Sequence, residues 1–216
     1  MSKDDSQTSD KLYDDLTLGS MGAHMFFGAV DNDTSYDACQ FILKSNLFHK
    51  DKKPLTMFFN TGGGESSDGF AVIDLMETSR LPIATVGIGT ICSMGVLLVS
   101  AGNHGMRTLT KNSEVMAHQF SGYFDGKQHE LIAQQTAYKM LERRFIRHFL
   151  NHSLMSEAQI RDVLFGPSDR YLTPMECKKY GLVDRVVEFA DVPAAVLKTT
   201  ATKKKVMRSR SPRSIG

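Results

Sequence analysis

The chain has 216 residues, 41% hydrophobic and 23% charged, with 17 glycines and no tryptophan. That length and balance suit one large domain with a core needing no covalent staples, and exclude collagen-like, low-complexity and disulfide-scaffold classes. The formal charge of +2 is uneven: Lys203, Lys204, Lys205, Arg208, Arg210 and Arg213 put six positive charges in the last fourteen residues, and the remainder sums to −4.

Three separated cysteines, Cys39, Cys92 and Cys177, offer neither a disulfide framework nor a CxxC metal site, and point to a reducing compartment such as the cytoplasm. The acidic, polar N-terminal stretch has no apolar signal core, so residues 1–24 read as a flexible arm, 25–192 as the folded domain and 193–216 as a basic, disordered tail. The tail reads as a solvated segment, with contact to nucleic acid or an acidic partner as the alternative reading, and nothing else in the chain points to nucleic acid.

In chain order, MFFGA (25–29) reads as a strand and Thr34–Leu47 as a helix. LTMFF (55–59) is a buried strand running into the glycine-rich turn NTGGGESSDG (60–69), with a helix over 70–76 after it. Residues 81–102 carry no charge, but Pro82, four glycines and interspersed hydroxyls argue for buried core rather than a membrane span. Within that run a strand is expected over 83–88 and a fully buried helix over 94–101. Strands are expected near 106–110 and 113–118, a long helix over 130–151 and a shorter one from Ser156. Thr173-Pro174-Met175-Glu176 carries an N-cap, a proline at N1 and a glutamate at N3, Gly181 ends that helix, and LVDRVVEF is the last strand. Strand–turn–helix units in series predict an α/β fold, whose ligand sites gather at the carboxyl ends of strands.

Ser93 follows a strand and opens a buried helix, where it is either an N-cap or an attacking hydroxyl beside the Met94 amide. It is not in a GxSxG elbow, because Ile91 stands where the first glycine belongs. The NTGGG turn permits close backbone approach to a ligand; without GKS or GxGxxG, an oxyanion hole fits better than a phosphate cradle, and a plain turn remains open. His118 ends a strand and is either a general base or a structural ring; Asp169 lies in a loop before the capped helix. His148 and His152 are four apart on the long helix, but no HExxH pattern or sequence-adjacent carboxylate accompanies them, so they read as a helix face and no metal site is expected.

The arrangement of these pieces is more specific than any one of them. TICSMGVLLVSAGNHGMRTLTKNSEVMAHQ resembles the GxAASMGxxLLxAGxxGxRxxLPNxxxMIHQ segment of the Clp protease proteolytic subunit (ClpP) family, including the separation of Ser93 and His118. FNTGGG stands where the family has INSPGG, and SDRYLTPMECKKYGLVDRVV resembles its closing RDxxxSAxEAxEYGLIDxVI motif. The resemblance covers about residues 25–190; Gly62 and Phe120 stand where the family carries prolines.

The resemblance implies an α/β ClpP/crotonase-type fold with repeated β-β-α units and a protruding handle helix. It implies a serine endopeptidase in which Ser93 is the nucleophile, His118 the base and Asp169 the orienting carboxylate. The amides of Gly64 and Met94 would form the oxyanion hole, and Gly63, Gln119 and Phe120 would border the substrate strand. It further implies self-association into seven-membered rings, two stacked, which enclose a chamber for unfolded protein or peptide. A separate AAA+ unfoldase would consume the ATP; this chain has no Walker motif and needs no cofactor. The competing expectations are a ClpP-like ring subunit or adaptor without catalysis, and an acyl-CoA enzyme of the same broad fold.

Overall fold

The computed structural model describes residues 17–48, 53–122 and 125–187. Most of the arm and the whole basic tail lie outside these residues. The chain divides into units 1–186 and 187–216, and the fold below is that of the first. A 3-10 turn at Gly19–Met21 leads into β1 (Ala23–Phe27), so the folded body starts inside the stretch read as an arm.

Helix α1 (Asn32–Phe48) begins two residues earlier than expected because Asp31 caps it: its Oδ1 accepts from the Thr34 amide at 3.0 Å and the Thr34 hydroxyl at 2.9 Å. Ser35, Ala38, Ile42 and Ser45 form its buried stripe. Strand β2 (Leu55–Thr61) alternates buried and half-buried residues. Helix α2 (Ser66–Thr78) starts directly out of the glycine turn, four residues before the apolar pattern that marks it in the sequence.

Strand β3 (Ile83–Cys92) runs four residues beyond its expected end. Gly89 adopts φ +63°, and the Asn60 side chain accepts from the Thr90 amide at 3.0 Å, so the strand bends there without ending. The bend splits its partners. Thr85–Gly87 pair with β4 (Arg107–Thr110), and Thr90–Cys92 pair with β5 (Glu114–Ala117). Helix α3 (Met94–Ser100) lies between β3 and β4 in the chain, and all seven of its residues are buried.

Helix α4 (Gln128–His152) is about 37 Å long at 1.5 Å per residue. Its buried residues, Phe145, Ile146, His148 and Phe149, all lie in the last third, and Ile132 and Met140 are exposed farther out. It is therefore a handle held at one end. A short turn α5 (Glu157–Gln159) passes into a π turn over Ile160–Leu164. Strand β6 (Arg170–Leu172) pairs antiparallel with β5, a strand the sequence does not announce.

Helix α6 (Pro174–Lys179) has the expected capping box: Thr173 Oγ1 accepts from the Glu176 amide, and Glu176 Oε2 accepts from the Thr173 amide at 2.8 Å. Gly181 closes it at φ +72°, donating to Lys178 O while Leu182 donates to Cys177 O. Strand β7 (Arg185–Val187) completes the sheet order β1-β2-β3-β4-β7, with β5 and β6 branching from the far half of β3. Strands β1 to β4 are parallel, each joined to the next through a helix. Arg107, buried to 3% exposure, ties the last strand region back with bonds of 2.7 and 3.0 Å to Asp184. No helix among the described residues is long and apolar enough to cross a membrane.

Candidate active site

The expected triad residues each flank a strand end. Ser93 follows the last residue of β3, His118 follows the last residue of β5, and Asp169 precedes the first residue of β6. The β5–β6 ladder runs Val115–Leu172, Met116–Tyr171, Ala117–Arg170; the next rung along would set His118 opposite Asp169. Thus strand pairing, not proximity in sequence, sets the ends of β3, β5 and β6 side by side.

Ser93 adopts φ +54°, the one non-glycine residue with positive φ among the described residues. Such a backbone costs about 1–3 kcal/mol and persists only where its surroundings enforce it. Here they do: the Ser93 amide donates to Met116 O at 2.8 Å, and its carbonyl accepts from Val96 at 3.0 Å. Its side chain makes no capping bond to α3, so the hydroxyl is not used as an N-cap.

The glycine turn lies against this elbow. A Cβ on Gly63, at φ +93°, would stand 2.5 Å from Ser93 Cβ and 2.9 Å from Cys92 O. Gly63 is thus required by the closeness of the two turns. A Cβ on Gly64 would fall 2.2 Å from Val30 O, because Val30 bridges this segment, donating to Gly63 O at 2.9 Å and accepting from the Glu65 amide at 2.7 Å. That bridge leaves the Gly64 N–H pointing away from Val30. Among the described residues no hydrogen bond uses the amide of Gly64 or of Met94, the first residue of α3. Two free donors from adjacent turns are what an oxyanion needs.

Both amide-bearing residues, with Ser93 and His118, line a pocket of about 150 Å³. Its rim is polar and includes Glu65, Ser66 and Ser121; its depth is apolar, formed by Leu97, Phe120, Phe145, Phe149, Leu164 and Phe165. Phe120 stacks on Phe145 with centroids 5.1 Å apart and planes at 7°, and meets Tyr138 at 4.5 Å. The Tyr138 hydroxyl donates to Phe120 O at 2.9 Å, which folds the segment after His118 onto the base of the handle.

The structure separates the expected site residues into two groups. Ser93, Met94, Gly64, His118 and Phe120 share the pocket, with Gly63 packed behind the serine. Gln119 is exposed and directs its amide to Phe165 O at 2.8 Å. Asp169 is exposed and is not among the pocket-lining residues. Among the described residues no hydrogen bond joins Ser93 to His118 or His118 to Asp169 in the single subunit. Burial pushes the pKa of the Cys92 thiol up, and the charges of Glu114 and Asp169 push it further. Cys92 is accordingly a buried thiol and not a competing nucleophile.

Phe165 and Glu65 have no sequence signal as site residues, and Phe145 and Phe149 stand out in the sequence only as apolar positions on one face of the handle. His148, read with His152 as a helix face, lies on the face that packs inward and is buried at 5% exposure. Its ring is held neutral by burial, which lowers its pKa to about 3, with the charges of His152 and Arg107 lowering it as well.

A family model for Clp protease matches residues 8–190. The chain belongs to the Clp protease family. Its mixed sheet with α3 buried and α4 projecting is an α/β ClpP fold, and the pocket at the β3–α3 junction is the candidate active site of a ClpP-like protein.

Proposed function

We propose that this Clp protease family member is a serine endopeptidase subunit that cleaves unfolded polypeptides with Ser93, His118 and Asp169. The observation carrying this reading is the enforced positive φ of Ser93 beside the two free amides of Gly64 and Met94, with His118 across the same pocket. Ser93 Oγ attacks the scissile carbonyl while His118 removes its proton. The amides of Gly64 and Met94 receive the oxyanion, each contributing about 2.7–4 kcal/mol to the transition state. His118 then protonates the leaving amine, and Asp169 holds the imidazole in the required tautomer.

The two triad hydrogen bonds form when β6 and the segment after His118 settle on assembly or substrate binding; catalytic bonds often tighten only in the complex. The exposed outer part of α4, with Leu131, Ile132 and Met140, supports pairing of handles between two seven-membered rings. The enclosed chamber receives substrate from an AAA+ unfoldase, which is the ATP-consuming partner. Three free cysteines fit a reducing compartment such as the cytoplasm.

A fluorophosphonate probe is expected to label wild-type protein at Ser93, located by peptide mass, and a peptide substrate is expected to turn over only with that serine present. Native mass measures the ring. Rings without labelling or turnover would support the second reading, a non-catalytic ring subunit, which the open triad of the lone chain favours.

A further inference from the structure

A cluster remote from the serine in function shares the base of the handle. His148 and His152 lie one turn apart on α4, and Glu77 comes from the last turn of α2. One ligand-capable atom from each lies within 4.8 Å of the other two. The carboxylate missing from the sequence neighbourhood is therefore supplied by the fold.

We propose that Glu77, His148 and His152 form a binding site for a zinc-type first-row divalent cation that clamps α2 to α4. Two imidazoles and one carboxylate are borderline nitrogen and oxygen donors, suited to zinc, cobalt or nickel rather than to magnesium or calcium. His152 Nε2 and Glu77 Oε1 are already 2.9 Å apart. Two ligands of a tetrahedral ion at about 2.1 Å each are about 3.4 Å apart, so this pair needs little adjustment. With Nε2 as the ligand atom, the single proton of the His152 ring sits on Nδ1, which is buried with no hydrogen-bond partner.

The supporting shell is also present. Ser100 Oγ meets His148 Nε2 at 3.0 Å and donates onward to Leu97 O, fixing one side of that ring. His104 stacks at 6.3 Å over His152 on the solvent side. The nearby cation Arg107 is engaged by Asp184 at 2.7 Å, and it donates to the His152 carbonyl rather than to its ring. An ion here would join the helix that leaves the glycine turn to the helix that carries Phe145 and Phe149 into the pocket wall.

The test uses the full chain stripped with chelator and titrated with Co2+ for its visible d–d absorption and with Zn2+ for its effect on Tm. One equivalent per chain is expected, with tetrahedral-type bands and a rise in Tm. Glu77→Gln, at an exposed position that folding tolerates, should weaken binding at least about tenfold, as loss of a ligand does. His152→Ala should do the same, and His129→Ala, on the exposed outer part of the handle, should bind like wild type. Absence of bands and of any Tm rise in wild type would overturn the proposal and leave Glu77–His152 as a plain ion pair. Equal binding by wild type, Glu77→Gln and His152→Ala would overturn it too.

Discussion

From Met94 to Ser100 every residue beside the serine is buried, whereas Asp169, Arg170 and Tyr171 are exposed on or before a three-residue strand. The first region is over-determined. β2, β3, β5 and α3 all converge on Ser93, and glycines at 63, 87 and 95 allow contacts that a Cβ would block, such as 2.5 Å from Leu109 at Gly87 and 2.7 Å from Thr61 at Gly95. The second region is held by three ladder pairs and one capping box. Ser93 and the amides of Gly64 and Met94 are thus preorganised within the subunit, while Asp169 sits in a loosely packed, exposed segment. Strain can be stored only where packing is dense enough to hold it.

The largest effect should come from the dense side. Ser93→Ala is expected to lower kcat for a peptide by about a millionfold, with ring mass unchanged. Ser93→Gly should be equally inactive yet more stable, by up to about 1–3 kcal/mol, because glycine accepts φ +54° without cost. Retention of even one percent of turnover by Ser93→Ala, or equal Tm values for the alanine and glycine variants, would break the picture of a strained nucleophile.

Next comes the open side. Asp169→Asn should lower kcat by about 10⁴-fold through loss of the oriented tautomer, while Tm barely moves because the residue is exposed. A drop under tenfold would mean that the β5–β6 edge never closes on His118. The two variants together divide the site into a part built by folding and a part completed afterwards.

The same division governs what the sequence reveals. Apolar patterning marks β2, the first half of β3, the wholly apolar α3 and the handle, whose apolar residues are buried only in its last third. The motif spacing marks Ser93, His118 and Gly64. The continuation of β3 to Cys92 is hidden because its cause is a side chain from another strand, Asn60, acting at Gly89. Strand β6 is hidden because three residues carry no period, so its register with β5, which ends at the Ala117–Arg170 pair, appears only in three dimensions. Phe165 and Glu77 reach their clusters through tertiary packing, and no local pattern foretells either.

A pH titration sharpens the contrast from the dense side. His148 faces His152, Arg107 and, across the helix pair, Glu77. Its folded pKa of about 3 lies below the ordinary 6.5, so between those values the unfolded chain binds a proton that the folded chain refuses. Stability from this group is complete above pH 6.5 and declines as pH falls toward 3. In chelator-treated protein, Tm should slope downward through that window, and His148→Phe should flatten the slope. An unchanged slope would place the acid limit elsewhere.

The smallest effect belongs to the cap that follows β6. Thr173 accepts from the Glu176 amide at 3.2 Å and its own amide donates back to that side chain at 2.8 Å, so helix α6 fixes the chain two residues past the middle of β6. Thr173→Ala removes half of this box and should cost about 1 kcal/mol. Because α6 anchors β6 without touching the pocket, the loss should appear first as faster amide exchange at Tyr171 and Leu172, and only secondarily as a fall in kcat of less than tenfold. Ser93 labelling should be unaffected, since the elbow does not depend on β6. A variant that exchanged faster at Ser93 and Val96 as well would show the two regions to be one cooperative unit, and the separation between a densely packed Ser93 elbow and an exposed Asp169 segment would fail.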